Sequence, residues 1–505
     1  MYRVTIALVR VELVSERVSE WLKGNNNSHY IILTYLLNSS SLYPYRKDSI
    51  NPTMNNSEAS FEVYSRRWAV LVIFVLSGFA NALVLLSWSP ISDKASDFWG
   101  GISTTAVNSL AVSFQVMYIP GTILATNAMK KSDLRTTMLL GGSLTTVGCV
   151  IRWVGVFARE NGNMSPVLSY VIVLLGTLMV ASSQPFYLNM PAKIAGSWFA
   201  VQERDVGTTL CSLANPLGSA VGSIIPAIFV SGGGDDDTGD VKGVGTLMLV
   251  QLIVAVLALI LVFFFFSSAP PTPPSNSAMQ MSNKNDGDQQ TAVWDDVKAL
   301  VAHKDYFKLL VGFTIGLGNL NALAALLNQL PGDYSNSEVG NLGAILIMCG
   351  FIGAFLSGFV LESTKAYRPI LKMVYTISFG AWVFFASNCR KDNYGLLLAS
   401  AGLLGFTLLP IIPSTIMNAV ECVFPLSEDI ALGLLYASAN TMAIFMTFIG
   451  QMLLSWDSFG PAPLFPYGVW IIGTMFLGLL PTLMFNGQYV RNEQDAQKPL
   501  LSETI

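Results

Sequence analysis

Pro185-Phe-Tyr-Leu-Asn-Met-Pro-Ala-Lys193, running on through Phe199, Glu203, Leu210, Ala214 and Asn215, returns 225 positions later as Pro410, Phe424, Glu428, Leu435, Ala439 and Asn440, with no gap in between. A second echo links Asn81-Ala82-Leu83 to Asn321-Ala322-Leu323. Chance gives scattered apolar matches, but it rarely holds Pro, Phe, Glu and Asn in one register. The chain therefore reads as two similar halves. Parallel six-helix repeats build one large class of membrane carriers, with the substrate site near the bilayer midplane where the halves meet.

Composition agrees. The 505 residues are 52% hydrophobic and 12% charged, and the mean hydropathy is +0.52, too apolar and charge-poor for a soluble enzyme. A net charge of -4 and the lack of any basic block exclude a nucleic-acid partner. Cys149, Cys211, Cys349, Cys389 and Cys422 are too widely spaced for a disulfide framework or a metal knuckle, and leave the redox compartment open. His29 and His303 fall outside the apolar stretches, so no intramembrane metal or haem site can be built on histidine. No cofactor is expected.

A spanning helix needs about 20 mainly apolar residues. Twelve stretches qualify: 68–88, 106–129, 136–157, 167–188, 206–230 and 244–266 in the first half, and 307–330, 339–361, 370–387, 394–417, 431–456 and 467–485 in the second. The expected fold is an all-α integral membrane protein with 12 spans in two six-helix repeats. Its segments are a tail (1–66), a first bundle (67–266), a linker (267–305), a second bundle (306–486) and a tail (487–505). With the N-terminus inside, sixteen lysines and arginines from Arg66 and Arg67 to Arg491 and Lys498 fall on the inner side. Only Lys94, Arg159, Lys242, Arg390 and Lys391 fall outside. Cytoplasmic loops are enriched in these residues, so both termini are expected in the cytoplasm.

The linker opens with Ala269-Pro-Pro-Thr-Pro-Pro274 and continues in Ser, Asn, Asp and Gln, a composition expected to stay unfolded. Its last part, 292–302 with Trp294, Val297, Leu300 and Val301, fits a short amphipathic helix on the membrane surface as well as it fits irregular structure. Residues 31–37 are too short to span, and no signal peptide is read near the start. Met54 is expected as the native initiator, because 54–67 alone makes an ordinary polar tail before the first span.

Arg66-Arg67-Trp68, Asn81-Ala82, Gln184-Pro185 through Lys193 with Trp198-Phe199, and Asn215-Pro-Leu-Gly218 resemble the feline leukaemia virus subgroup C receptor-related family of major facilitators. The second half agrees in Leu326-Leu-Asn-Gln329, Glu362-Ser-Thr-Lys365-Ala-Tyr367, Phe424-Pro-Leu-Ser-Glu428 and Gly433 through Asn440. The resemblance covers about residues 64 to 486 in order. The Gln184-Pro185 and Asn215-Pro216 pairs are similar to the branch called major facilitator domain-containing protein seven. It implies a monomeric carrier in a lipid bilayer with a small-molecule substrate; choline, ethanolamine and haem transport have been attributed to such families. The choline-transporting relatives box the quaternary ammonium between aromatic residues of helices 1 and 7. Leu85 and Asn321 stand at those positions here, and Trp88, one helical turn beyond Leu85, is the expected substitute. Gln184 matches a family glutamine and Asn440 replaces another.

Polar groups inside a membrane are costly and mark pathways or interhelical hydrogen bonds. Gln184, Asn440, Asn81 and Asn321 are the amides expected to face substrate, with Trp88 and Tyr187 as aromatic candidates. Against each stands the plainer reading of an interhelical hydrogen bond or a packed ring, which is preferred for Asn215, where Pro216 frees a carbonyl. Arg152 lies 17 residues beyond Arg135, roughly 25 Å along a helix, and is expected to snorkel to the outer headgroups. No Asp or Glu falls mid-span, so a facilitative uniporter is the simpler reading. Glu362 with Lys365 is read as a loop latch, and Glu203 and Glu428 as gating groups whose salt bridges break as the halves rock.

Weaker motifs take bland readings. Gly218 and Gly222 have the spacing of close helix packing. Asp235-Asp-Asp237 reads as a solvated turn. Asn163-Met-Ser165 is a sequon in a short loop followed by Pro166, and Pro499-Leu-Leu501 loosely resembles a sorting signal. The leading expectation is transport of a small polar or cationic metabolite, choline-like or vitamin-like, by alternating access. The alternatives are haem export and a non-transporting receptor or sensor on the same scaffold. Enzyme chemistry has no support: no nucleophile elbow or phosphate loop is present.

Overall fold

The computed structural model describes residues 62–230, 241–286, 293–327, 330, 336–389, 393–455 and 466–496, all within one compact unit that runs from Ala59 to Ile505. Residues 1–53, the 235–237 turn and the 499–501 motif lie outside the described residues. Every described span is helical, and among the described residues ten helices are long and apolar enough to cross a membrane.

The first half comprises α1 (Arg66–Ala82), α2 (Ser92–Phe98), α3 (Thr104–Lys131), α4 (Leu134–Glu160), α5 (Pro166–Ser183), α6 (Pro185–Leu188), α7 (Pro191–Trp198), α8 (Arg204–Ser212), α9 (Ala214–Phe229) and α10 (Val244–Phe265). After α11 (Asn276–Asp286) and α12 (Val293–Ala302), the second half runs through α13 (Lys304–Leu326), α14 (Asn336–Thr364), α15 (Tyr367–Ser387), α16 (Tyr394–Leu408), α17 (Ile411–Val423), α18 (Glu428–Ser455) and α19 (Pro466–Leu483). A short α20 (Val490–Ala496) follows. Grouping α5 to α7, α8 with α9, and α16 with α17 recovers six spans per half. Two of the twelve are too short or too broken to be counted by length: α1 has 17 residues, and the fifth span breaks at Leu213 between α8 and α9.

Polar side chains start several helices by accepting the free N–H groups of the first turn. Ser103, Asp133 and Ser165 accept from Ala106, Thr136 and Leu168. The sequon serine is thus the N-cap of α5. Asp133 also accepts a short hydrogen bond from the Ser268 hydroxyl, and these bonds hold its carboxyl below the usual carboxylate range.

Two expectations need correction. The first span does not continue helically to Trp88: α1 stops at Ala82, and residues 83–88 form tight turns with bonds such as Leu85 N–H to Ala82 C=O at 3.1 Å. The linker contains the helix α11, and 293–302 is helical. The tail after the last span folds back as α20, with Arg491 buried. Both α11 and α20 are held by hydrogen bonds and ion pairs at the end of the bundle that carries the linker, here called the linker end.

Glycines set the closest helix approaches. A Cβ on Gly218 would lie 2.5 Å from the Phe79 carbonyl oxygen, and one on Gly222 would strike the Leu83 carbonyl, so α9 packs on α1 backbone to backbone. Gly353 and Gly405 do the same for α14 against α16, facing the Phe406 and Leu346 carbonyls.

Candidate transport site and the closure at the linker end

Pro185 has no N–H, so the turn at the end of α5 tightens, and the Gln184 N–H turns to the Ala181 carbonyl at 3.2 Å. The Val180 carbonyl, left without its helical donor, accepts from Asn81 Nδ2 at 3.0 Å and from Ser183 Oγ at 2.7 Å. Asn81 Nδ2 also reaches Ser183 Oγ at 2.8 Å and Thr145 Oγ1 at 3.4 Å, and Thr145 shares a hydrogen bond with Tyr187 Oη at 3.3 Å. Asn81 and Tyr187 therefore lie together in a buried knot that ties α1, α4, α5 and α6, inside the first half.

Gln184 stands at the exit of that knot. Its side chain is 4% exposed, and it makes no hydrogen bond among the described residues. The following turn, α6, packs on α18 of the other half. On α18, Asn440 is 7% exposed and spends its Nδ2 on the Tyr436 carbonyl of its own helix at 2.9 Å. Asn321, on α13, is half-buried and makes no hydrogen bond among the described residues.

Between the halves three rings meet that the sequence reading did not single out. Tyr118 of α3 and Tyr436 of α18 have centroids 6.2 Å apart, and Phe313 of α13 stands edge-on to Tyr436 at 5.3 Å. The Tyr118 hydroxyl donates to Asn189 Oδ1 at 2.7 Å. Their only sequence signal was an aromatic in the middle of a span, which packing produces equally well.

Trp88 is elsewhere. It is buried against Trp99 at 4.8 Å, in a cluster with Phe98 and Val173, because the turn after α1 redirects it. The shared-face argument linking it to Leu85 fails with the helix that supported it. Arg152 also departs from expectation. It does not snorkel but is 1% exposed, donating to Gln251 Oε1 at 2.8 Å and Ser87 Oγ at 3.3 Å, with its guanidinium 5.9 Å from the Trp88 ring. Amide, hydroxyl and ring face stand in for the water it lacks.

At the linker end, charged groups cross from half to half. Arg204, 3% exposed at the start of α8, donates to Glu421 at 3.4 Å, to Asp495 of α20 at 2.8 Å and to Asn492 at 3.1 Å. Lys365 Nζ pairs with Asp205 at 2.7 Å, and Tyr367 donates to the same carboxylate at 2.7 Å. Glu362 accepts the Val206 N–H at 3.1 Å, so the Glu362/Lys365 loop clasps the start of α8. Lys193 faces Asp429 at 3.8 Å. The chain turns at Lys365 with φ 49°, a left-handed conformation that ends α14.

The two repeat-related glutamates bond within the network without bridging the six-helix bundles. Glu203 holds Arg67 of its own half through two bonds, at 2.9 and 3.2 Å, and Glu428 holds Arg491 of α20 at 2.7 Å. The bridging groups are their neighbours Arg204 and Asp429. Arg491 also approaches Ser277 of α11 at 3.5 Å, and Ser277 N–H donates to Asp495 at 2.8 Å, so linker and C-terminal helix close over one seam. Burial, with Arg204 adding repulsion, pulls the Arg491 guanidinium below its usual range.

Two six-helix bundles with an ionic closure across one end define a membrane transporter. Comparison with known proteins agrees. The model of the Major Facilitator Superfamily matches residues 69–426. The zebrafish (Danio rerio) choline/ethanolamine transporter flvcr2a is 28% identical over 80% of this chain and 84% of its own. The human (Homo sapiens) choline/ethanolamine transporter FLVCR2 is 27% identical over 84% and 76%. Solute carrier family 49 member A3 of Xenopus tropicalis is also 27% identical, over 81% and 82%. Among solved structures, the major facilitator transporter FucP in the outward conformation aligns with a TM-score of 0.62 at 14% identity, covering 84% of this chain and 99% of that one. The chain belongs to the Major Facilitator Superfamily.

Proposed function

We propose that the chain carries a small cationic metabolite of the choline or ethanolamine class across its membrane by alternating access, with Gln184, Asn440 and Asn321 facing the substrate. The observation that carries this reading is Gln184: a buried residue whose side chain makes no hydrogen bond among the described residues, directly before α6, which packs on α18 of the other half, the helix on which Tyr436 meets Tyr118 and Phe313. Amide oxygens and π faces are the groups that suit an ammonium ion and its hydroxyl. The choline/ethanolamine names of the relatives supply the substrate class. Asn81 and Tyr187 then shape the wall behind Gln184, while Trp88 packs away from it.

The paired groups of the ionic closure at the linker end, Glu203, Glu428, Glu362 and Lys365 among them, act in gating. Lysine and arginine enrichment supports a cytoplasmic position for that end. The acidic side chains of the spans sit near helix ends, so transport follows the substrate gradient without a proton.

Uptake of labelled choline into cells lacking their own carrier tests the reading. Wild type is expected to give saturable uptake indifferent to a protonophore. Gln184→Ala and Asn440→Ala should each lower uptake roughly tenfold, the scale of one hydrogen bond to a charged ligand. Choline binding without flux, with protein at the surface, would make the chain a sensor; neither binding nor flux would exclude choline.

A further inference from the structure

The helix α12 and the start of α13 form a second site, outside the seam between the halves. The inner side of α12 is fixed: Leu300 is fully buried, and Asp296 holds Lys130 of α3 at 2.9 Å. Its outer side carries Trp294, 67% exposed, and one and two turns on, Lys298 and Val301. Where α12 meets α13, Val301, Ala302, Lys304, Phe307 and Lys308 line an open hollow of about 400 Å³.

The floor of this hollow is apolar and its rim is basic. Val301 and Phe307 are 43% and 48% exposed. Lys304 has no acidic partner among the described residues, while Lys308 shares its charge with Asp305 at 2.8 Å. A surface helix with an exposed tryptophan lies at the headgroup level, where basic side chains attract anionic lipids.

We propose that this hollow seats an anionic phospholipid, its phosphate on Lys304 and Lys308 and its acyl chain over Val301, Ala302 and Phe307. A soluble phosphate would use the lysines but leave the apolar floor uncovered, and a zwitterionic lipid brings a phosphate whose charge its own ammonium already offsets, with no net charge left for the second lysine. The lipid would also tie α12 to α13, the joint through which the linker enters the second half.

Native mass spectrometry of the delipidated full chain tests this, with phosphatidylserine and phosphatidylcholine of identical acyl chains. Phosphatidylserine is expected to be retained in preference, and Lys304→Gln with Lys308→Gln should reduce that preference by roughly fivefold per lysine. Lys298→Gln, outside the hollow, should leave it unchanged, and this variant reports any general effect of removing charge. Phe307→Ala should weaken retention of both lipids. Equal retention of the two lipids by the wild type, an unchanged preference in the double lysine variant, or full displacement by glycerophosphoserine would each overturn the proposal.

Discussion

In an Arg204→Ala variant, Cys422 becomes reactive toward a maleimide applied from the linker end. Arg204 is the cation that both Glu421 and Asp495 face, and these carboxylates are 5% and 3% exposed. Removing one partner from a buried pair typically costs about 3–5 kcal/mol, because the remaining charge is stranded. About 5.5 kcal/mol is enough to carry a two-state equilibrium from 1:99 to 99:1. Cys422 is buried beneath the C-terminal segment, where a Cβ on Gly487 would lie 3.0 Å from its own Cβ. Its labelling rate reports release of that segment, and in a background where it is the sole cysteine the rate should rise roughly a hundredfold, the equivalent of about 3 kcal/mol. Arg204→Lys keeps the charge without the planar fork, so it should fall between the two. A folded Arg204→Ala protein that labels no faster than wild type would show that these pairs do not hold the closure.

Gly405→Val should abolish the monodisperse protein. The α14/α16 crossing brings backbones together at two points, and any side chain at Gly405 meets the Leu346 carbonyl rather than a flexible side-chain end. Overpacking ordinarily costs about 1–3 kcal/mol when neighbours can yield. Here the obstacle is main chain on a helix that also packs on α17, so the upper end or beyond is expected, against a total stability of about 5–15 kcal/mol. Gly380→Ala is the control: it sits in a helix with nothing near its Cβ position, and should be neutral or slightly stabilising. Fluorescence-detected size exclusion of tagged protein separates the two outcomes. A normal peak from Gly405→Val would mean the crossing can open without loss of the fold.

Most of the fold was legible because a span must satisfy its own backbone, so length and hydropathy locate helices within a few residues. The repeat located the equivalence of Glu203 and Glu428 and of Asn215 and Asn440. What escaped was tertiary. The end of α1 at Ala82 is set by the packing of Gly218 and Gly222 against its last turn, and nothing in the apolar run up to Trp88 announces it. Arg152 looked like a snorkelling residue because height alone was counted, whereas Gln251 and Ser87, remote in sequence, hold it inside. The polar linker was read as unfolded from composition, yet Ser277 has a partner in Asp495, 218 positions away, that no local signal reveals. The aromatic trio was missed for the same reason, since its members come from three separate spans.

The seam at the linker end bears on how a duplicated chain stops behaving as two copies. By the 225-residue repeat, Arg204 and Asp429 are the same position in the two halves, and α7 is the counterpart of α17. Lys193 near the start of α7 meets Asp429, and Glu421 near the end of α17 meets Arg204: equivalent helices reach equivalent positions across the seam through different side chains, and the signs are exchanged. Two first halves brought together would oppose Lys193 to Arg204, and two second halves would oppose Glu421 to Asp429. Self-association of either half is thereby penalised, and pairing between unlike halves is the arrangement that charge permits.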